Sequence, residues 1–268
     1  MKYVIRNTLS RTIIISLFAI AMGFLESAVV VYLRAIYYPE GFAFPLKIIE
    51  GPIAVTEIIR EAATMIMLLT VCMLAAKRWI IRFAWFIYMF AIWDIFYYVF
   101  LWLILGWPES LLSWDILFLI PTTWAGPVIA PVINSFTMIL LAGVILQADH
   151  RSSGQAHRKT SEKRMANGEK QTGGPVRLTV FEWGILLAGS LITILAYILD
   201  YSTYMLKRFS FVEWFSLSNK QVVLEQAAAY VPVSFNWILF SSGTTLFFIV
   251  IGLFIRRLLN STGKDLPH

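Results

Sequence analysis

Five ionisable side chains stand inside long apolar runs of this chain: Glu26, Glu57, Arg60, Glu61 and Asp94. A charge in hydrocarbon is costly, so such residues turn into the bundle interior and mark functional sites by default. Glu57 and Glu61 are four residues apart and Arg60 follows Glu57 by three, which puts all three on one side of a helix. Arg60 compensates one carboxylate, or two by bridging. The remaining excess must be relieved by protonation or by a bound cation. A protonated acid in an apolar pocket is a general-acid candidate, and a second carboxylate supplies a base. Asp94, Tyr97 and Tyr98 stand at i, i+3 and i+4, an acid and two phenols on one face with Trp93 beside it. Aromatic faces such as Trp93 and Trp124 stabilise positive charge.

The elements that must position these residues are membrane helices. Of 268 residues, 59% are hydrophobic and 14% charged, with mean hydropathy +0.72; a soluble domain carries about 25% charge. Six segments are long enough to cross a hydrocarbon core, at about 12–33, 53–76, 79–105, 117–147, 179–199 and 231–255. The first follows Lys2, Arg6 and Arg11 in the manner of a signal peptide. Its apolar run is too long and lacks a small-residue cleavage site, so a retained helix is expected. The expected fold is an all-α polytopic bundle of about six transmembrane helices, the fourth broken by proline, with both termini inside. Orientation follows from charge: sixteen Lys and Arg fall in the segments this topology places inside, five in those it places outside. The net charge of +6 then serves topology and anionic lipid and calls for no nucleic acid.

With this orientation the first and third helices run outward and the second inward. Glu26, Glu57, Arg60, Glu61 and Asp94 converge on one level in the outer half of the bundle, with Arg34, Asp115 and Asp200 bordering the same side. Glu182, near the inner end of the fifth helix, is expected to reach the interface. The stretch Asp115–Gln147 carries Pro121, Pro127 and Pro131; a re-entrant or interfacial piece over about 115–126 and then a kinked helix are expected, simple kinking being the alternative. Residues 1–147 form a four-helix region carrying the acidic pocket and 179–268 a two-helix region with an outer interfacial segment. Between them 148–178, which has no aromatic residue and no Leu or Ile before its last position, is expected to be a disordered basic cytoplasmic linker. Trp102, Trp107, Trp114, Trp214 and Trp237 fit an outer aromatic belt.

Several chemistries are excluded by motif. There is no Gly-rich phosphate loop followed by Lys-Ser/Thr, no H-E-x-x-H, no G-x-S-x-G and no Asp-rich prenyltransferase motif. Single Cys72 forms no intramolecular disulfide. His150, His157 and His268 all lie in polar segments, which argues against haem held by intramembrane histidines, a His-rich metal site or a histidine-dependent intramembrane protease. The run Trp93-Asp94-Ile95-Phe96-Tyr97 is similar to the Trp-Glu-x-x-Tyr of small membrane-bound terpene cyclases; the match covers five residues with Asp for Glu, and a five-residue match does not define a family.

Three readings follow. In the first, a membrane enzyme acts on a lipophilic substrate, with Glu26, Glu61 and Asp94 catalytic and Glu57, Arg60, Trp93, Tyr97, Tyr98 and Trp124 binding ligand. In the second, the same carboxylates hold a small cation or proton in a transporter or receptor. In the third, an accessory subunit uses the acidic network only as a helix clamp. A one-sided pocket without internal repeats favours the enzyme or a binding protein over a transporter. The partners implied are the lipid bilayer and a lipophilic small molecule or cation, in a multi-pass protein of the cell membrane (the inner one in a bacterium). No cofactor is indicated. Reporter fusions after residues 45, 160 and 262 should read outside, inside and inside; an outside signal at 160 would overturn the topology.

Overall fold

The computed structural model describes residues 8–49, 51–163, 176–214 and 220–263. It is a polytopic all-α bundle, and the chain is an integral membrane protein. Among the described residues six helices are long and apolar enough to span a bilayer: Leu9–Tyr37, Gly51–Ala75, Trp79–Leu105, Ile129–Ser152, Val180–Leu206 and Trp237–Asn260. The elements in chain order are α1 (Thr8–Tyr37), α2 (Gly51–Ala75), α3 (Trp79–Leu105), β1 (Trp114–Phe118), β2 (Trp124–Pro127), α4 (Ile129–Lys163), α5 (Val180–Leu206), α6 (Phe211–Trp214), α7 (Lys220–Ala228) and α8 (Trp237–Gly263). Large apolar side chains face outward along the spans, with Leu74 88% and Ile238 81% exposed. In water such a surface would associate; against lipid tails it costs nothing.

α3 is the central helix, apolar on every side and packed against α1, α2 and α4. α8 joins α5 to this group by packing on both α4 and α5. Small residues bring the backbones together. A Cβ on Gly23 of α1 would stand 3.0 Å from the Trp93 carbonyl oxygen of α3, and the Ser27 hydroxyl donates to the Gly23 carbonyl at 2.7 Å and the Tyr97 carbonyl at 3.0 Å. The register of α1 on α3 is thereby fixed. Between α5 and α8 the contact is made by Gly189 and Gly243. Gly184 of α5, by contrast, has open space around it.

The proline-rich stretch does not kink a helix. Residues 114–127 fold into an antiparallel hairpin in which Trp114 faces Pro127, Asp115 faces Gly126 and Ile116 faces Ala125, with a bulge before Phe118 faces Trp124. Pro121 lies in the hairpin loop and Pro127 ends β2. Pro131 falls in the first turn of α4, where its missing N–H removes no intrahelical bond. Backbone this irregular survives in a membrane protein when protein covers it. Residues Ala125 to Val128 are buried, Val128 and Ile129 donate to the Ser113 and Leu111 carbonyls, and β2 lies on α5. Gly126 permits that approach, since a Cβ there would meet Phe235 at 3.1 Å and Tyr197 at 3.2 Å.

At the hairpin end the irregular strap 38–49 closes over α1, held where Lys47 N–H donates to the Tyr38 hydroxyl at 2.7 Å. Phe44 and Leu46 of the strap pack into a cluster with Tyr201, Tyr204 and Tyr230. Asp200 organises the approach to α8, accepting from the Tyr230 hydroxyl at 2.7 Å and from Val233 N–H at 3.1 Å. Burial and this bond push the Tyr230 hydroxyl pKa well up. Two of the tryptophans expected in the outer belt are half-buried in aromatic contacts: Trp114 meets Phe235 edge-on, and Trp214 packs on the Tyr201 cluster. Trp102 remains 59% exposed.

At the opposite end two sequence expectations change. Glu182 does not reach out to the interface but is 3% exposed. It closes a capping box, accepting Thr179 N–H at 2.6 Å while Glu182 N–H donates to the Thr179 hydroxyl, and Arg257 bonds it at 2.9 Å. Within the polar segment 148–178, α4 continues as helix to Lys163. Residues 164–175 lie outside the described residues, and Val176 and Leu178 return to the core, with Arg78 donating to the Val176 carbonyl at 2.7 Å. Arg78 also pairs with Asp149.

The α5–α8 seam generates a direct test. A Cβ on Gly243 would lie 2.8 Å from the Gly189 carbonyl oxygen and would meet the Thr193 hydroxyl, whereas Gly252 on the same helix has open space. Gly243→Ala should lower stability by about 1–3 kcal/mol, the usual cost of overpacking. Gly252→Ala should leave the melting temperature in detergent unchanged or raised; equal effects would show that the seam is loose.

Candidate functional site

Two cavities meet at Asp94. The first, about 200 Å³, lies between α1, α2, α3 and β1 under the strap. It is lined by Glu26, Glu57, Arg60, Glu61, Trp93, Asp94, Tyr97 and Tyr98, so eight of the nine residues singled out from sequence come together there. Trp124 does not. It lines the second cavity, about 380 Å³, between α3, α4 and α5, and stacks on Tyr197 with ring centroids 5.9 Å apart. Trp93, Asp94, Leu117 and Phe118 line both cavities.

Helical spacing on α2 places its polar trio as the sequence implies. Arg60 reaches across to Glu26 of α1 and back to Glu57, with Nη2 2.8 Å and Nε 2.9 Å from Glu57 Oε2. One guanidinium thus serves two carboxylates on two helices. Thr64 completes the turn by donating to the Arg60 carbonyl at 3.0 Å. Glu61 is 7% exposed and turns from Arg60 to the hairpin, where it accepts Leu119 N–H at 3.0 Å. Asp94 is bonded by a neutral group: the hydroxyl of Ser135 on α4 donates to its Oδ2 at 2.8 Å, and among the described residues no cation pairs with it.

A second ion pair roofs the cavity. Arg34, at the end of α1, is 7% exposed and lies 3.5 Å from Asp115 Oδ1 of β1. Its guanidinium also covers the Trp107 ring at 3.7 Å and the Phe42 ring at 4.6 Å from the centroids, a cation–π box. Tyr98 donates its hydroxyl to Asp115 Oδ2 at 3.3 Å rather than to the neighbouring Asp94. Burial pushes the Asp115 carboxyl up to about 6, opposed by Arg34, by the Ile116 N–H and by the Tyr98 hydroxyl.

Sequence reasoning placed Arg34 and Asp115 at the border of the site; the structure makes them its roof. It had no means of finding Ser135 or the Leu119 amide, because neither has a motif: both reach the site only when the hairpin and α4 close on α3. Asp200 belongs to the strap end and not to the cavity. Among the described residues no three His, Cys, Asp or Glu side chains are grouped as metal ligands. Comparison with known proteins finds no matching family model, no matching curated protein and no matching solved structure.

Arg60 is the member whose loss exposes the most unbalanced charge. Arg60→Ala should destabilise by about 3 kcal/mol, the cost of stranding a buried carboxylate. Lys47→Ala on the strap, which bonds through its backbone and whose ammonium rests only 5.6 Å over the Tyr38 ring, should have little effect. Equal melting temperatures for the two variants would mean that Arg60 is solvated.

Proposed function

We propose that this protein is a membrane enzyme carrying out acid–base chemistry on a lipophilic substrate, with Asp94 as the proton-transferring group. The observation that carries the proposal is the position of Asp94 on the wall shared by a polar, ion-paired cavity and a larger apolar one. A lipophilic molecule seated in the apolar cavity brings its end to a carboxyl that is held by a hydroxyl and not by a cation. The polar cavity behind it provides the route by which a proton or a polar product leaves.

The other acidic residues then divide by their partners. Glu26 and Glu57 hold Arg60 and fix the polar wall. Glu61, bonded by a backbone donor, is the second proton-transfer group. Trp93, Tyr97 and Tyr98 line the space in which positive charge would develop, and aromatic faces stabilise such charge. By the charge bias of the sequence the polar cavity opens to the outer side, so exchange occurs there rather than with the cytoplasm.

The test works without an identified substrate. Purified wild-type protein and Asp94→Asn are incubated in D₂O with the lipid extract of the expressing cells, and lipid masses are compared. The wild type should convert a lipid or load deuterium onto its carbon. Asp94→Asn should slow this about a hundredfold or more, the usual contribution of general acid–base catalysis. Its melting temperature should stay unchanged, because no ion pair is lost. A lipid profile untouched by the wild type would overturn the enzyme reading. A melting loss in Asp94→Asn as large as that of Arg60→Ala would make Asp94 part of a helix clamp instead.

A further inference from the structure

The apolar cavity carries information about what fills it. Four buried polar atoms on its lining residues have no hydrogen-bond partner among the described residues: the indole nitrogens of Trp93 and Trp124, the amide oxygen of Asn134 and the hydroxyl of Thr193. Trp93 is only 7% exposed. The Asn134 amide nitrogen donates to the Tyr197 hydroxyl at 2.8 Å; were the amide turned over, its nitrogen would be the orphan instead. An unmet buried polar group is costly, and a membrane interior holds little water to relieve it. Thr193 is different, since its hydroxyl faces Gly243 across the α5–α8 seam.

The charge of the lining narrows the class further. No Lys, Arg or His lines this cavity among the described residues, so a phosphate or carboxylate head would be buried without a counter-charge. Away from the polar end the walls are Phe83, Phe86, Phe90 and Leu186. From Phe83 to Asp94 along α3 is about 16 Å at 1.5 Å per residue. The cavity lies against the side of the bundle: the α3 and α5 backbones do not pack closely, the two helices meeting through the Phe83 and Trp183 rings with centroids 4.8 Å apart, and Leu187 lines the cavity while 61% exposed.

We infer that this cavity binds an uncharged single-chain lipid, its tail along the Phe83–Phe90 face and a hydroxyl or carbonyl oxygen at the Trp93, Trp124 and Asn134 end. The indole N–H groups are the donors available at that end, and the Asn134 amide can serve either a hydroxyl hydrogen or a lone pair. The inference rests on the enzyme reading above and names its substrate class. Its test therefore reads binding and not turnover.

A diazirine-bearing tetradecanol analogue is photolysed on the full-length protein in phosphatidylcholine nanodiscs, and labelled peptides are mapped. Labelling should fall within residues 83–94 and 183–197. Tetradecanol should compete, while tetradecane, tetradecanoate and tetradecylamine at the same concentration should not. Trp124→Phe, which keeps an aromatic ring and deletes one donor, should weaken competition by about tenfold; should that variant fail to fold, the competition series on wild type decides alone. Competition by tetradecane equal to that of tetradecanol would overturn the head-group assignment. Stronger competition by the acid or amine would overturn the uncharged class, and labelling confined to lipid-facing residues such as Leu74 would overturn the site. Correct labelling without lipid turnover leaves the binding inference standing and removes the enzyme reading.

Discussion

The arrangement depends on one interaction, the bridge from Arg60 to Glu26 and Glu57. α1 packs tightly on α3 through Gly23 and Ser27, but α1 and α2 do not pack closely on each other. The guanidinium spans the gap between them. A gap held open by a salt bridge is a polar cavity in a membrane bundle, and it persists because apolar collapse of the two helices would strand three charges in hydrocarbon. The same physics that makes intramembrane charge costly thus maintains a space in which charge can act.

The roof of that space follows a second rule, that buried backbone must find hydrogen-bond partners within the protein. The hairpin of β1 and β2 meets this by antiparallel pairing, by bonding its flank to Ser113 and Leu111, and by giving the Leu119 N–H to Glu61. The last of these makes one side chain do two things, satisfying the hairpin and forming the cavity wall. Arg34 likewise joins three segments, with Phe42 from the strap, Trp107 beyond α3 and Asp115 on β1. Loss of the hairpin would therefore open both cavities at once, since Leu117 and Phe118 line each of them.

The two cavities differ because their walls come from different contacts. On one side of Asp94 stand the ion-paired faces of α1 and α2. On the other stand the aromatic face of α3 and the facing sides of α4 and α5, with Trp124 and Tyr197 stacked at the end. Among the described residues Asp94 is the only acid on that second side. A residue so placed has a polar and an apolar environment within one side chain's reach.

Composition alone determined the membrane class and six spans, because hydrocarbon thickness sets a length that local sequence must meet. Helical spacing determined that Glu57, Arg60 and Glu61 share a side and that Asp94 and Tyr98 lie one turn apart, because helix geometry is local. Tertiary structure decided which partners those side chains take. It sent Tyr98 to Asp115 rather than Asp94, gave Asp94 the Ser135 hydroxyl, drew Glu182 into a capping box with Arg257, and turned a proline-rich stretch into a hairpin instead of a kink. It also separated Trp124 from the polar pocket and made it the end of a second cavity. Spacing along one helix fixes a direction, whereas a partner is fixed only when α4, the hairpin and α3 compete for the same buried polar atoms; that competition is non-local and has no pattern in the sequence.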